Sequence, residues 1–128
     1  MSHDEAVLVV DDDDDCRDSL QELLERDGHF AMSASSADEA MSVIAAHQPL
    51  CVILDLGMPE VGGAELAQRI RSAYGTGIVL IVLTGSVEAS DQDEAEQSGV
   101  DYVLHKPLDV DRLRRILPRV ESTPPRAA

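Results

Sequence analysis

At 128 residues the chain is long enough to bury a single core without disulfide or metal staples, and its apolar fraction of 44% is ordinary. Aromatics make up only 2% and Trp is missing, so Val, Ile, Leu and Ala must fill the interior, which suits a parallel sheet covered by helices. A net charge of -15 disfavours direct contact with nucleic acid or anionic lipid, and no stretch approaches the roughly 20 apolar residues needed to cross a bilayer.

Ala6 to Val10 is a short apolar, β-branched run ended abruptly by aspartates, the pattern of a strand buried on both faces that emerges at a sheet edge. From Asp15 the spacing becomes helical, with Cys16, Leu20, Leu23 and Leu24 on one face and Gly28 as the stop. His29 to Ala34 can form a second strand, and Ser36-Ala-Asp-Glu39 is a capping box opening a helix whose Ala40, Val43, Ile44 stripe ends before Pro49. Leu50 to Leu54 reads as a third strand closed by Asp55. Gly62-Gly63 opens a helix carrying Leu66 and Ile70, with Arg69 and Arg71 in its C-terminal half, where the helix dipole favours cations.

Ile78 to Leu83 is the most apolar stretch and reads as a central strand, followed by Thr84-Gly85-Ser86. An acid-rich helix is expected from about Ser90 to Ser98, a fifth strand from Val100 to His105, and a last helix from Asp109 to Val120 with Leu113, Ile116 and Leu117 inward. Strands alternating with helices imply an α/β domain over residues 1–121, a parallel sheet with helices on both faces joined by right-handed crossovers. The Pro-rich tail 122–128 is expected to be disordered. The start Met-Ser-His-Asp-Glu has neither a basic nor an apolar leader segment, so a cytoplasmic location is expected. Cys16 and Cys51 fit no metal spacing and are read as small buried hydrophobes in a reducing compartment, not as a disulfide.

In an open parallel sheet the carboxyl ends of the strands share one edge, and ligands bind there. Asp11 and Asp12 follow the first strand, Asp55 the third, Thr84 the fourth and Lys106 the fifth, so three carboxylates, a hydroxyl and an ammonium should meet. Three ionised carboxylates that close raise one another's pKa unless a cation neutralises them, and an all-oxygen donor set without His or Cys points to Mg²⁺ or Mn²⁺. Mg²⁺ is the expectation on availability. The alternative for the run Asp11 to Asp15, taken alone, is a solvated acidic loop.

The segments Val-Leu-Val-Val-Asp11-Asp12-Asp13, Val-Ile-Leu-Asp55-Leu-Gly-Met-Pro59, Val-Leu-Thr84-Gly85 and His-Lys106-Pro107 together resemble the receiver domains of two-component response regulators. The resemblance spans about Ala6 to Val120. It implies a flavodoxin-like, doubly wound, three-layer fold with five parallel strands in the order 2-1-3-4-5. It makes Asp55 the phosphoacceptor, Asp12 a direct metal ligand, Asp11 a ligand acting largely through water, and the Gly57 carbonyl the last protein ligand. Thr84 would bond the phosphoryl oxygen, Lys106 would pair with Asp55 or the transferred group, and Asp13 would stand just outside. A sensor histidine kinase or histidine phosphotransfer protein is the implied donor, an unknown downstream protein the implied target, and the fourth helix, fifth strand and fifth helix the implied switching surface.

The sequence departs from the family where an aromatic usually stands three residues before the lysine: that place is Val103. Tyr102 beside it should face the other way, as a packing residue or as a displaced switch. Gly57 and Ser86, small residues flanking the acceptor, suggest freer access for water and a short-lived phosphorylated state. A Lys106-Pro107 bond in the cis form would aim the lysine inward; alone, Lys106 could equally be a surface residue. His105 is assigned to the strand surface. Arg112, Arg114, Arg115 and Arg119 on the last helix could mark a partner or homodimer surface, or a solvated face. Two rival functions remain at this level. A phosphatase of the haloacid-dehalogenase type would need a second aspartate two residues beyond the nucleophile, where Gly57 stands; a degenerate receiver would act as an unphosphorylated interaction module.

Overall fold

The structure is a computed structural model that describes residues 6–58, 61–85 and 99–121, with side chains as far as Leu117 in the last helix. The elements run β1 (Ala6–Val10), α1 (Asp14–Arg26), β2 (Phe30–Ala34), α2 (Ala37–His47), β3 (Cys51–Asp55), α3 (Gly63–Tyr74), β4 (Val79–Thr84), β5 (Tyr102–His105) and a C-terminal helix, Val110–Glu121. The expected helix between Ser90 and Ser98, Ser86, Pro59 and the tail 122–128 lie outside the described residues. All strand pairings are parallel and the sheet order is β2-β1-β3-β4-β5.

Why this order follows from the sequence is visible in burial. Every residue of β1 and β3 is buried, as a strand covered on both faces requires, whereas β2 at the edge exposes Phe30. Alternate residues feed two apolar layers. Leu8, Val10, Val52, Leu54, Leu80 and Val82 meet Ala40 and Ile44 of α2 and Leu66, Ala67 and Ile70 of α3. Val7, Val9, Ile53, Ile81, Leu83 and Leu104 meet Leu20 and Leu24 of α1 and Leu113, Ile116 and Leu117 of the C-terminal helix. Each fully buried Val, Leu or Ile contributes about 1.5–3 kcal/mol relative to exposure, so the two layers, not helix propensity, hold the elements in place.

Local chemistry sets the element ends. Asp13 caps α1, its carboxylate accepting from the amides of Asp15 and Cys16, and α1 ends at Asp27 before Gly28, whose φ of +92° suits a residue without Cβ. Ser36 caps α2 by accepting from the Glu39 amide at 3.2 Å, but the returning Glu39 carboxylate takes the amide of Ser35, not that of Ser36, at 2.6 Å. The cysteine expectation is half corrected. Cys51 is buried, but Cys16 in the first turn of α1 is exposed; the buried face of that helix begins at Leu20 and continues to Leu24.

Candidate functional site

The carboxyl ends of β1, β3, β4 and β5 collect Asp11, Asp12, Asp55, Thr84 and Lys106, the five residues singled out in the sequence. Asp55 is the last residue of β3 and Thr84 the last of β4, and both are buried. Asp11 follows β1 and is only 4% exposed, while Asp12 beside it faces solvent. One carboxylate oxygen from each of Asp11, Asp12 and Asp55 lies within 4.8 Å of the others. The ammonium of Lys106 stands 3.4 Å from Asp55 Oδ2 and 4.0 Å from Asp11 Oδ2.

The main chain fixes these groups. Asp11 donates its amide to Ala34 O at 3.1 Å, which ties the end of β1 to β2, and its Oδ1 accepts the Asp13 amide at 2.9 Å. Leu56 donates to Leu83 O at 2.8 Å, extending the β3–β4 ladder past Asp55, and Gly57 donates its amide to Asp55 Oδ1 at 3.0 Å. Lys106 donates its amide to Thr84 O at 2.8 Å, so lysine and threonine are set by one contact, and the Lys106-Pro107 peptide is cis. Helix α3 begins against this loop so closely that a Cβ on Gly63 would lie 2.5 Å from Asp55 O and 2.7 Å from Leu56 Cα.

Among the described residues, charge in the pocket does not balance: three carboxylates face one ammonium. Burial, then repulsion from Asp55 and Asp12, pushes the Asp11 carboxyl above its ordinary value, although the Asp13 amide and Lys106 pull the other way. At Lys106 burial is the largest single influence and opposes the charge, but Asp55 and Asp11, with the hydrogen bond to Asp55, outweigh it and raise the ammonium above its usual range. A hard divalent cation fits this donor set, since all its side chains offer oxygen and the acid excess is what such an ion offsets.

Sequence reasoning placed these residues but missed Arg17, whose Nη1 donates to Asp11 O at 2.9 Å. It also passed over Asp13 as the α1 cap, although an aspartate just before a helical pattern is an N-cap signal. Tyr102 packs on the α1 face and Val103 on the α2–α3 face, as strand alternation requires. His105 is exposed. Of the arginines on the last helix, Arg114 pairs with Asp27 of α1 at 2.9 Å, Arg112 and Arg115 are exposed, and the Arg119 side chain lies outside the described residues.

A doubly wound 2-1-3-4-5 sheet with acids after its first and third strands, threonine after its fourth and lysine after its fifth defines an α/β receiver-type domain. The chain belongs to the response regulator receiver domain family, whose model matches residues 7–118, and is thereby a receiver domain of two-component signalling. It is 38% identical over 112 residues to an uncharacterized 14.6 kDa protein from the sodA1 3' region of Leptolyngbya boryana, covering 87% of this chain and 86% of that protein. It is 34% identical to response regulator Rre1 of Synechocystis over 91% of this chain, and spans about half (52%) of that regulator's length. A response regulator receiver protein from Pseudomonas putida superposes with a TM-score of 0.85 at 28% identity, covering 93% of this chain and 99% of that one.

Proposed function

We propose that the domain is a phosphoryl-accepting switch in which Asp55 takes a phosphoryl group from the phosphohistidine of a sensor histidine kinase or histidine phosphotransfer protein. The observation that carries this is the placement of Asp55 within 4.8 Å of the Asp11 and Asp12 carboxylates and 3.4 Å from Lys106. Phosphoryl transfer asks a protein mainly to position groups and offset charge on the transferring oxygens, and these residues do both. Asp55 forms the new P–O bond as the P–N bond to imidazole breaks. Asp11, Asp12, Asp55 and the carbonyl of Gly57 would hold Mg²⁺, which when bound supplies the positive charge that lets an anionic donor approach an anionic acceptor. Lys106 stays protonated beside Asp55 and takes up part of the added charge, and Thr84 turns its hydroxyl to a phosphoryl oxygen.

Gly57, where a phosphatase would carry its acid/base aspartate, brings only a backbone amide to Asp55, which favours a switch over a turnover enzyme. Phosphorylation adds roughly -1.5 to -2 charge, and the rearrangement of Thr84 and Lys106 is read at the surface of β5 and the C-terminal helix, together with the expected fourth helix outside the described residues, where a downstream protein or a second copy of the chain docks. The domain occupies residues 1–121, with a C-terminal tail at 122–128, and works in the cytoplasm. The test is intact-mass analysis after incubation with acetyl phosphate and Mg²⁺. Wild type gains one phosphoryl group and Asp55→Asn gains none; modification of both, or of wild type without divalent metal at the same rate, rejects this function.

A further inference from the structure

We propose that Arg17 is the positioning residue of the metal site: its guanidinium grips the Asp11 main-chain carbonyl and so fixes the peptide from which Asp12 departs, presenting both acids to one divalent ion. The inference rests on the function proposed above. Arg17 lies one turn into α1, yet its side chain is only 15% exposed, against 79% for its partner Asp14, because it folds back beneath the loop instead of reaching into solvent. Nη1 donates to Asp11 O at 2.9 Å and Nη2 to Asp14 Oδ1 at 2.5 Å.

Asp11 is thereby held at three points: its amide by Ala34 O, its carboxylate by the Asp13 amide, and its carbonyl by Arg17. The first two orient Asp11 alone. The third acts on Asp12, because the Asp11 carbonyl and the Asp12 amide share one rigid plane, and turning that plane swings the Asp12 Cα–Cβ bond. Asp12 is exposed, so core packing does not fix it. A guanidinium bridges carbonyl and carboxylate at once with a rigid planar fork, whereas an ammonium carries its donors on a flexible stem with no such fixed geometry. The hydrogen bond to Asp14 holds Arg17 charged more firmly than usual despite its burial.

Charge and geometry predict opposite signs. If Arg17 acted only as a cation near three carboxylates, removing it would tighten the binding of a divalent ion, by Coulomb's law alone. If it positions Asp12, removing it weakens binding, by about 10-fold or more, as is usual when a group orienting a metal ligand is lost. Mn²⁺ is the probe, with free ion counted from its paramagnetic resonance signal. Arg17→Ala should bind Mn²⁺ about 10-fold more weakly than wild type while keeping the wild-type circular dichroism spectrum. Arg17→Lys keeps the charge but not the fork, should also bind more weakly, and carries the test alone if the alanine variant does not fold. In phosphorylation by acetyl phosphate, the Mg²⁺ concentration for half-maximal rate should rise in both variants with the plateau regained at saturating Mg²⁺. Equal or tighter Mn²⁺ binding, or a lowered plateau with an unmoved half-saturation point, overturns the role of Arg17 alone. A wild type that takes up no Mn²⁺ overturns the metal site itself and this inference with it.

Discussion

The two edges of the sheet are built on opposite electrostatic plans. At the carboxyl edge, three carboxylates crowd around one ammonium and the Asp11 carboxyl is held above its usual range. At the amino edge of β4 and β5, one cation is satisfied on every side. Arg71 of α3 donates to Gly75 O at 3.0 Å, Ile78 O at 2.5 Å and Gly99 O at 2.8 Å, and pairs with Asp101 at 2.6 Å, while Asp101 also accepts the Leu80 amide at 2.8 Å. At the amino ends of β4 and β5 the described charges, Arg71 and Asp101, are paired with each other and with the main chain. The carboxyl edge keeps an acid excess that could hold a cation. Substitutions at the two edges should therefore move stability in opposite directions.

The largest effect is expected from Arg71→Ala. It leaves three carbonyls without this donor and removes the partner of Asp101, which being 43% exposed can recover water, so the loss should be about 3 kcal/mol in urea unfolding. Mn²⁺ affinity should not change, since the clamp lies at the far end of the strands. A loss under about 1 kcal/mol would mean that water replaces the clamp and that the edges differ less than their geometry suggests.

Gly63→Ala tests the boundary between the two plans. A methyl group would meet the backbone of Asp55 and Leu56 at 2.5 and 2.7 Å, and backbone cannot step aside as a flexible side chain can. Overpacking of this kind costs about 2 kcal/mol. Unlike Arg71→Ala it should also slow the proposed phosphorylation, because the strain falls on Asp55 and the loop after it. Wild-type phosphorylation kinetics in a destabilised Gly63→Ala would show that the strain relaxes into α3 instead.

How much of this contrast was legible beforehand depends on the range of the interactions. The carboxyl edge was readable because each strand announces its end with a polar residue after an apolar run, and parallel topology brings those ends together: Asp11, Asp55, Thr84 and Lys106 stand where the pattern put them. The first strand coincides with its apolar run, and the boundaries of the other four shift by at most two residues. The amino-edge clamp was not readable, since Arg71 looked like a dipole-favoured surface cation, and nothing local links it to Asp101, 30 positions away. Arg17 was missed for the same reason at shorter range: its acceptor is a main-chain carbonyl, to which any residue type could contribute. Cys16 was misplaced because helical periodicity gives a side chain's direction but not where along the helix its buried face begins.

The opposite sign is expected at Asp11. In the metal-free protein, Asp11→Asn should raise stability at neutral pH, since burial and repulsion are relieved while an amide oxygen can still accept from Asp13. A carboxyl whose pKa is raised on folding binds more protons folded than unfolded, so its contribution is present at low pH and lost as pH rises through the folded pKa. The gap between variant and wild type should therefore close as pH falls and vanish below the ordinary carboxylate value of 3.8. Saturating Mg²⁺ should reverse the ranking, because the ion stabilises only the form with the full acid set. A variant less stable than wild type in the metal chelator EDTA at neutral pH would show that the acid excess carries no cost.

The smallest effect is one of rate, at Cys16. Its thiol is pushed up by burial and then by the carboxylates of Asp13 and Asp11, with Lys106 pulling the other way, although the residue itself is exposed. The thiolate is the reactive form, so a disulfide reagent should modify Cys16 more slowly than a free thiol at the same pH, while buried Cys51 reacts only on unfolding. Because the retarding charges belong to the acid-rich edge, Mg²⁺ should accelerate labelling of Cys16 several-fold by offsetting them. An equivalent concentration of NaCl, matched for ionic strength, should do less, since a site-bound ion acts at close range and screening acts over the roughly 10 Å of a Debye length. Equal acceleration by the two salts would place the excess charge in the solvated face of α1 and not in the pocket that Asp11 lines.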